Sequence, residues 1–274
     1  MDTRGAAGEA GRVSFETLRL SLDGALARLE LARPDAAHAI DMRMARELMA
    51  AALHVDADER VRALLLGSSG RMFCAGGDLA HFRSKGEALP AELREMTTCL
   101  HAAVALIARL RVPVVAAVNG AVAGAGIGLL CAADLVVAAS SARFTLAYTR
   151  VGLTPDGSAS FFLPRLLGAR RALELMLTNR TLSAAEALDW GLINEVVPDE
   201  QLAERAAALA RSLADGPTLA FASVKRLLLS SAQESLEAQL EHESRAISEA
   251  ARSADAREGM NAFFEKRPPK FQGH

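Results

Sequence analysis

Two stretches of this 274-residue chain carry small residues where backbone N–H groups could meet a developing negative charge. The first is Phe73-Cys74-Ala75-Gly76-Gly77-Asp78-Leu79, which follows an aliphatic run ending at Leu66. The second is Asn119-Gly120-Ala121-Val122-Ala123-Gly124-Ala125-Gly126-Ile127-Gly128, which opens what reads as a buried helix. Small residues let a ligand approach the main chain closely, and free N–H groups at a helix start favour negative charge. Two such groups converging on one carbonyl oxygen would stabilise an enolate. Nucleotide-binding patterns fail here. Gly124, Gly126 and Gly128 are spaced by two, which breaks the G-x-G-x-x-G fingerprint, and no G-K-[ST] is present for a phosphate-binding loop. Either loop alone could be tight packing; the two together are more informative.

An enolate also needs a group that moves protons. Between Arg111 and Arg150 the only carboxylate is Asp134, at the end of the glycine-rich segment. The next is Asp156, in Val151-Gly152-Leu153-Thr154-Pro155-Asp156-Gly157-Ser158. An Asp that follows Pro and precedes a helix could equally be an N-cap. His101 is the competing signal, on the helix before Pro113. A lone His on an amphipathic helix is more often structural or solvated than catalytic.

The elements that must hold these residues alternate in the first half of the chain. Residues 15–20 and 25–31 alternate like a hairpin around Asp23-Gly24. Residues 42–55 have helical spacing with Asp41 as a candidate N-cap. Strands are expected over 62–66, 114–118 and 135–138, and a long helix over 91–110 that stops at Val112-Pro113. This rhythm implies β-β-α units with buried strands, an α/β fold. After Ser158 almost everything reads as helix, over 158–167, 169–178, 183–190, 199–215, 217–229 and 235–251. The expected organisation is a disordered tail over 1–12, an α/β core over 13–200, and a helical C-terminal region over 201–274 serving as a lid or an oligomer interface.

Composition narrows the function. The net charge is −2, which argues against nucleic acid as the main partner. Aromatics are 4% of the chain, so aliphatic side chains must build most of the core and an aromatic-lined pocket is not expected. Cys74, Cys99 and Cys131 are scattered and odd in number, which fits reduced thiols in a cytoplasmic protein better than disulfides or a zinc site. Val112 to Ala133 holds about 22 uncharged residues, long enough for a bilayer, but Pro113, Asn119 and four glycines interrupt it. No metal, cofactor, membrane or nucleic-acid partner is expected.

The two loops, in this order, resemble those of the enoyl-CoA hydratase/isomerase (crotonase) superfamily. The resemblance extends over about residues 14–272. It includes Arg33-Pro34, Ala39-Ile40, the stretch Pro113–Asp134, and Thr181-Leu182-Ser183-Ala184-Ala185-Glu186-Ala187 leading to Trp190-Gly191-Leu192. It closes on Arg257-Glu258-Gly259-Met260 and Ala262-Phe263-Phe264-Glu265-Lys266-Arg267. The resemblance implies a crotonase-like spiral of β-β-α units, an acyl-CoA substrate, and homotrimers that often pair into hexamers. It implies that Gly77 and Ala125 supply the oxyanion N–H groups. Ala37, Ala39, Ala75, Gly76, Asp78, Leu79 and Gly124 would contact coenzyme A, which enters as part of the substrate. Phe263 and Lys266 would lie near a neighbouring subunit's ligand.

Departures from the family pattern choose among its chemistries. His38 stands where Asn is common. The two glutamates of family hydratases match Gly128 and Tyr148 here, and neither is a ready proton carrier near neutrality. Asp156 resembles the single catalytic carboxylate of superfamily isomerases, including those that isomerise phenylacetyl-CoA epoxides. The stretch Tyr148–Leu182 also resembles 4-chlorobenzoyl-CoA dehalogenase, whose attacking Asp matches Asp156 and whose water-activating His matches His101. Tyr148 replaces a Trp there and could still donate to Asp156. Gly77 and Leu100 replace that enzyme's aryl-caging aromatics. The expected function is therefore acyl-CoA isomerisation, with hydration, aryl-CoA dehalogenation and non-catalytic acyl-CoA binding as alternatives.

Overall fold

The computed structural model describes residues 14–274, so the tail expected over 1–12 lies outside the described residues. The chain opens with the hairpin β1 (Leu18–Asp23) and β2 (Leu26–Leu31), turned at Gly24 with φ +62°. Helix α1 (Met42–Ala57) follows, and the Asp41 carboxylate caps it by accepting the Met44 N–H at 2.9 Å. Three β-β-α turns then wind in succession. The first is β3 (Ala63–Ser68), β4 (Met72–Cys74), a short α2 (Leu79–Ser84) and the long α3 (Leu89–Arg109). The second is β5 (Val114–Val118), β6 (Ala121–Ala123) and α4 (Ala125–Cys131). The third is β7 (Leu135–Ala139), β8 (Arg143–Thr145) and α5 (Ala159–Leu167).

The long strands form one six-stranded sheet, ordered β1-β2-β3-β5-β7-β10, with β10 at Glu195–Val197. All its pairings are parallel except the first hairpin. Alternation along the strands splits the core in two. Leu64, Leu66, Val114 and Ala116 face α1 and α3. Ala63, Leu65, Val115 and Val137 face Ala206, Ala207, Ala210 and Ala214 of α8 (Leu202–Ala214). Both faces are covered, which is why these strands read as unbroken aliphatic runs.

The short strands build a second sheet, ordered β4-β6-β8-β9, with β9 at Leu182–Ser183. β9 and β10 correct the expectation of an almost wholly helical second half. Strands of two or three residues are too short to show an alternating pattern, and they exist because the sheets pair them. The remaining helices are α6 (Ala169–Thr178), α7 (Ala184–Asp189), α9 (Thr218–Ser231), α10 (Leu236–Ala250) and α11 (Ala254–Glu265). Of the C-terminal helices, α8 lies on the sheet. No residue of α10 is buried, and Leu236, Leu240, Ile247, Phe263 and Phe264 on α10 and α11 are exposed. Among the described residues, no helix is long and apolar enough to cross a membrane.

Candidate active site

The first loop spends its N–H groups one by one. Ala75 N donates to Ala37 O at 3.0 Å, Gly76 N to the Cys74 sulfur at 3.5 Å, and Asp78 N to Ile40 O at 3.0 Å. Gly77 N is left with no partner among the described residues. The loop is braced from the N-terminal side, where Arg33 donates to the Ala39 carbonyl at 2.6 Å and to Asp78 at 3.0 Å. Asp78 itself caps α2 through the His81 N–H at 2.9 Å.

The second loop meets the first backbone to backbone. Gly76 has φ +88°, and a Cβ there would lie 2.9 Å from the Ala123 carbonyl oxygen. Gly124 has φ +51° and gives its N–H to Thr145 O at 3.1 Å. Ala125 opens α4, so its N–H has no acceptor within the helix. Gly77 and Ala125, whose N–H groups are unspent, line one cavity of about 510 Å³. Tyr148 and Asp156 line it too, and among the described residues Asp156 is the only carboxylate that does.

Asp156 is not a helix cap. Ser158, with φ +75°, occupies the N-cap of α5 without a side-chain capping bond. The Asp156 carboxylate instead accepts the Tyr148 hydroxyl on Oδ1, and Oδ2 accepts no hydrogen bond among the described residues. Burial, and after it the Asp156 charge, push Tyr148 well above the ordinary phenol range, so it stays a protonated donor. Gly128 lies against the same segment: a Cβ at 128 would stand 1.8 Å from the Gly157 carbonyl oxygen. Backbone fills the place where a side chain at 128 would go.

The cavity also takes in Ala75, Leu79 and Gly124 from the expected set. Ala37, Gly76 and Asp78 stand behind the wall, tied to it by the bonds above, and Ala39 holds Arg33. His101 does not line this cavity; it lines a second one of about 710 Å³ between α3, α5 and α9. Its Nε2 lies 3.6 Å from Asp156 Oδ2 and accepts the Gly157 N–H at 3.1 Å. Phe263 is 78% exposed on α11, and neither it nor Lys266 borders the cavity of its own chain. Leu100, matched in sequence to an aryl-caging position, lines the cavity, but sequence reading missed the rest of that wall: Leu93, Met96 and Thr97 of α3, with Arg94 and Arg150. The α3 residues follow helical spacing, the pattern of ordinary core packing, and only the cavity distinguishes them. Among the described residues no cluster of His, Cys, Asp and Glu could hold a metal ion.

This arrangement suits a carbonyl compound whose oxygen takes up charge while one carboxylate handles a proton. The enoyl-CoA hydratase/isomerase family model matches residues 22–274. A Rhodobacter capsulatus protein named "Probable enoyl-CoA hydratase" is 44% identical, over 95% of this chain and 100% of its own. The 1,2-epoxyphenylacetyl-CoA isomerase of Escherichia coli is 40% identical, over 89% of this chain and 94% of its own. The crystal structure of an enoyl-CoA hydratase from Polaromonas sp. JS666 superposes with a TM-score of 0.89 at 31% identity, covering 93% of this chain and 99% of that one. The chain belongs to the enoyl-CoA hydratase/isomerase family.

Proposed function

We propose that this protein is an acyl-CoA isomerase that shifts a double bond through an enolate. The observation that carries the reading is that Asp156 is the single carboxylate on a cavity whose wall also presents the unspent Gly77 and Ala125 N–H groups. The thioester oxygen sits between those two donors and gains charge as Asp156 takes a proton from C2. The electron pair moves along the allylic system, and the same carboxylate returns the proton at C4. Preorganised donors of this kind contribute roughly 3–4 kcal/mol each to the transition state. Tyr148 orients the carboxylate through Oδ1 and leaves Oδ2 to carry the proton. The steps are proton transfers alone and call on no cofactor.

Hydration is the second reading, favoured by the name of the 44% identical relative. It must hold a water and protonate carbon together, which asks for two groups. Positions 128 and 148 offer a glycine and a phenol whose proton is held tightly. Aryl displacement would want an aromatic cage, and Phe82 is the only aromatic beside Tyr148 on this cavity. Substrate binding falls to the loops around Ala37, Ala39, Ala75, Gly76, Asp78, Leu79 and Gly124. The exposed apolar side chains of α10 and α11 fit a homotrimer interface, with Phe263 and Lys266 near a neighbour's ligand. Three free thiols fit the cytoplasm.

The test measures 3-enoyl-CoA migration, 2-enoyl-CoA hydration and aryl-CoA turnover side by side on wild type and Asp156→Asn. Migration is expected to dominate and to vanish in the variant while thioester affinity stays within a few-fold. Dominant hydration, or wild-type migration in Asp156→Asn, overturns the reading. Light scattering tests the trimer.

A further inference from the structure

The peptide after Asp156 is held from two sides. On one side α4 acts as a stop, since the Gly157 carbonyl packs where a Cβ of residue 128 would be, 1.8 Å from the oxygen and 2.7 Å from the carbon. On the other side the Gly157 N–H donates to His101 Nε2 at 3.1 Å. A ring nitrogen that accepts a hydrogen bond carries no proton, so the His101 proton sits on Nδ1. Nε2 is 3.6 Å from Asp156 Oδ2, beyond hydrogen-bond reach. The ring borders the second cavity and not the acyl cavity. It is therefore badly placed to activate a water beside the substrate, and well placed to fix the backbone that carries Asp156.

We propose that His101 is a positioning residue, whose neutral imidazole tethers the Asp156–Gly157 peptide against the stop at Gly128 and so keeps the carboxylate at the acyl cavity. This rests on the reading of Asp156 as the proton carrier. Without that acceptor the Gly157 N–H has no partner on the α3 side, and the carboxylate is free to swing away from the acyl cavity.

The experiment compares His101→Leu, which has no acceptor, with His101→Gln, whose amide oxygen can replace Nε2 as the acceptor. In His101→Leu, kcat for double-bond migration is expected to fall about tenfold or more at near-constant KM, as for a misplaced reacting group. His101→Gln is expected to recover most of that rate at the same KM. With 15N-glycine labelling, the Gly157 amide resonance should stay near its wild-type position in His101→Gln and move in His101→Leu, where its acceptor is gone. A Gln variant as slow as the Leu variant means the imidazole does chemistry, and overturns the proposal. So does a Leu variant with wild-type kcat. If His101→Leu does not fold, a folded His101→Gln variant whose kcat is down about tenfold or more overturns it. Asp156→Asn is run in parallel. Activity in that variant sinks the proton-carrier reading, whereas its inactivity beside a wild-type His101→Leu sinks this inference alone.

Discussion

The Tyr148 hydroxyl donates to Asp156 Oδ1, and Tyr148 is the only tyrosine in the chain. Tyrosinate absorbance therefore reports one group. Burial first, and the Asp156 charge second, push its ionisation to higher pH in the folded protein, whereas the unfolded phenol ionises at pH ~10. Below that pH both states keep the proton and Tyr148 adds no pH dependence. Above it the unfolded chain releases its proton and the native chain does not, so stability falls as pH rises. Alkaline titration of the native protein should show no tyrosinate until the chain unfolds. A native tyrosinate signal near pH ~10 would contradict the buried hydrogen bond.

Removing the hydroxyl alone tests its use. Tyr148→Phe keeps the ring and its packing but takes one donor from a carboxylate. Hydrogen bonds to charged groups contribute about 1.5–3 kcal/mol, so kcat should drop roughly ten- to hundredfold if the carboxylate is thereby misoriented. Thioester affinity should change little, because the hydroxyl faces Asp156. Steady-state kinetics with a competitive non-reactive thioester separates the two.

The loops that carry Gly77 and Ala125 touch through Gly76, and that contact has no slack. A methyl at 76 would press on the Ala123 carbonyl at 2.9 Å while φ stays at +88°. Gly76→Ala must then open the gap between Gly77 and Ala125. The expected outcome is a loss of about a hundredfold in kcat, the size seen when an oxyanion donor is displaced. The melting temperature should also fall, because a non-glycine residue in that conformation costs about 1–3 kcal/mol. A variant with native kcat would show that the loops do not share a ligand.

How much of this was legible in the sequence depends on the range of each signal. The strands β3, β5 and β7 and the helix α1 declare themselves through aliphatic runs and a cap, because burial on both faces and a local N-terminus leave local marks. Asp156 did not, since Pro-Asp-Gly-Ser before a helix is also how a cap is written. Only the tertiary position of Tyr148 decides which role the side chain takes. Gly128 reads as one more small residue in a small-residue run. Its necessity comes from Gly157, 29 positions on, packing against it in space. The role of α3 in the cavity is hidden for a related reason: Leu93, Met96 and Leu100 are apolar whether they face a core or a substrate.

The thiols give a test of burial that needs no substrate. Cys74 and Cys131 are buried, and desolvation pushes them up to about 11 and about 12. Neither should form thiolate near neutrality, and neither is open to a reagent. Cys99 is partly exposed on α3. Alkylation of the native protein followed by mass spectrometry should modify Cys99 before the other two, which react only on unfolding. Early modification of Cys74 would contradict the packing of the first loop against α4, where a Cβ at 126 would lie 2.8 Å from the Cys74 Cβ.

Lys225 and Asp134 form the ion pair that ties α9 to the sheet. The ammonium lies 2.7 Å from Asp134 Oδ2 and also donates to the Val112 carbonyl at 2.9 Å. Asp134 in turn accepts the Val114 N–H at 2.7 Å, so the pair pins the entrance of β5. Burial outweighs the mutual attraction: it pushes the Asp134 carboxyl up and the Lys225 ammonium down. The pair is therefore costly to hold, but removing one partner is worse, because it strands the other charge with its desolvation uncompensated. Lys225→Met should destabilise the protein by about 3 kcal/mol. Adding Asp134→Asn should restore part of that loss, since the amide oxygen can still accept from Val114 and no charge remains. Denaturant melts of the two single variants and the double give the coupling directly. Additive losses would mean that the two groups do not share the work of holding α9.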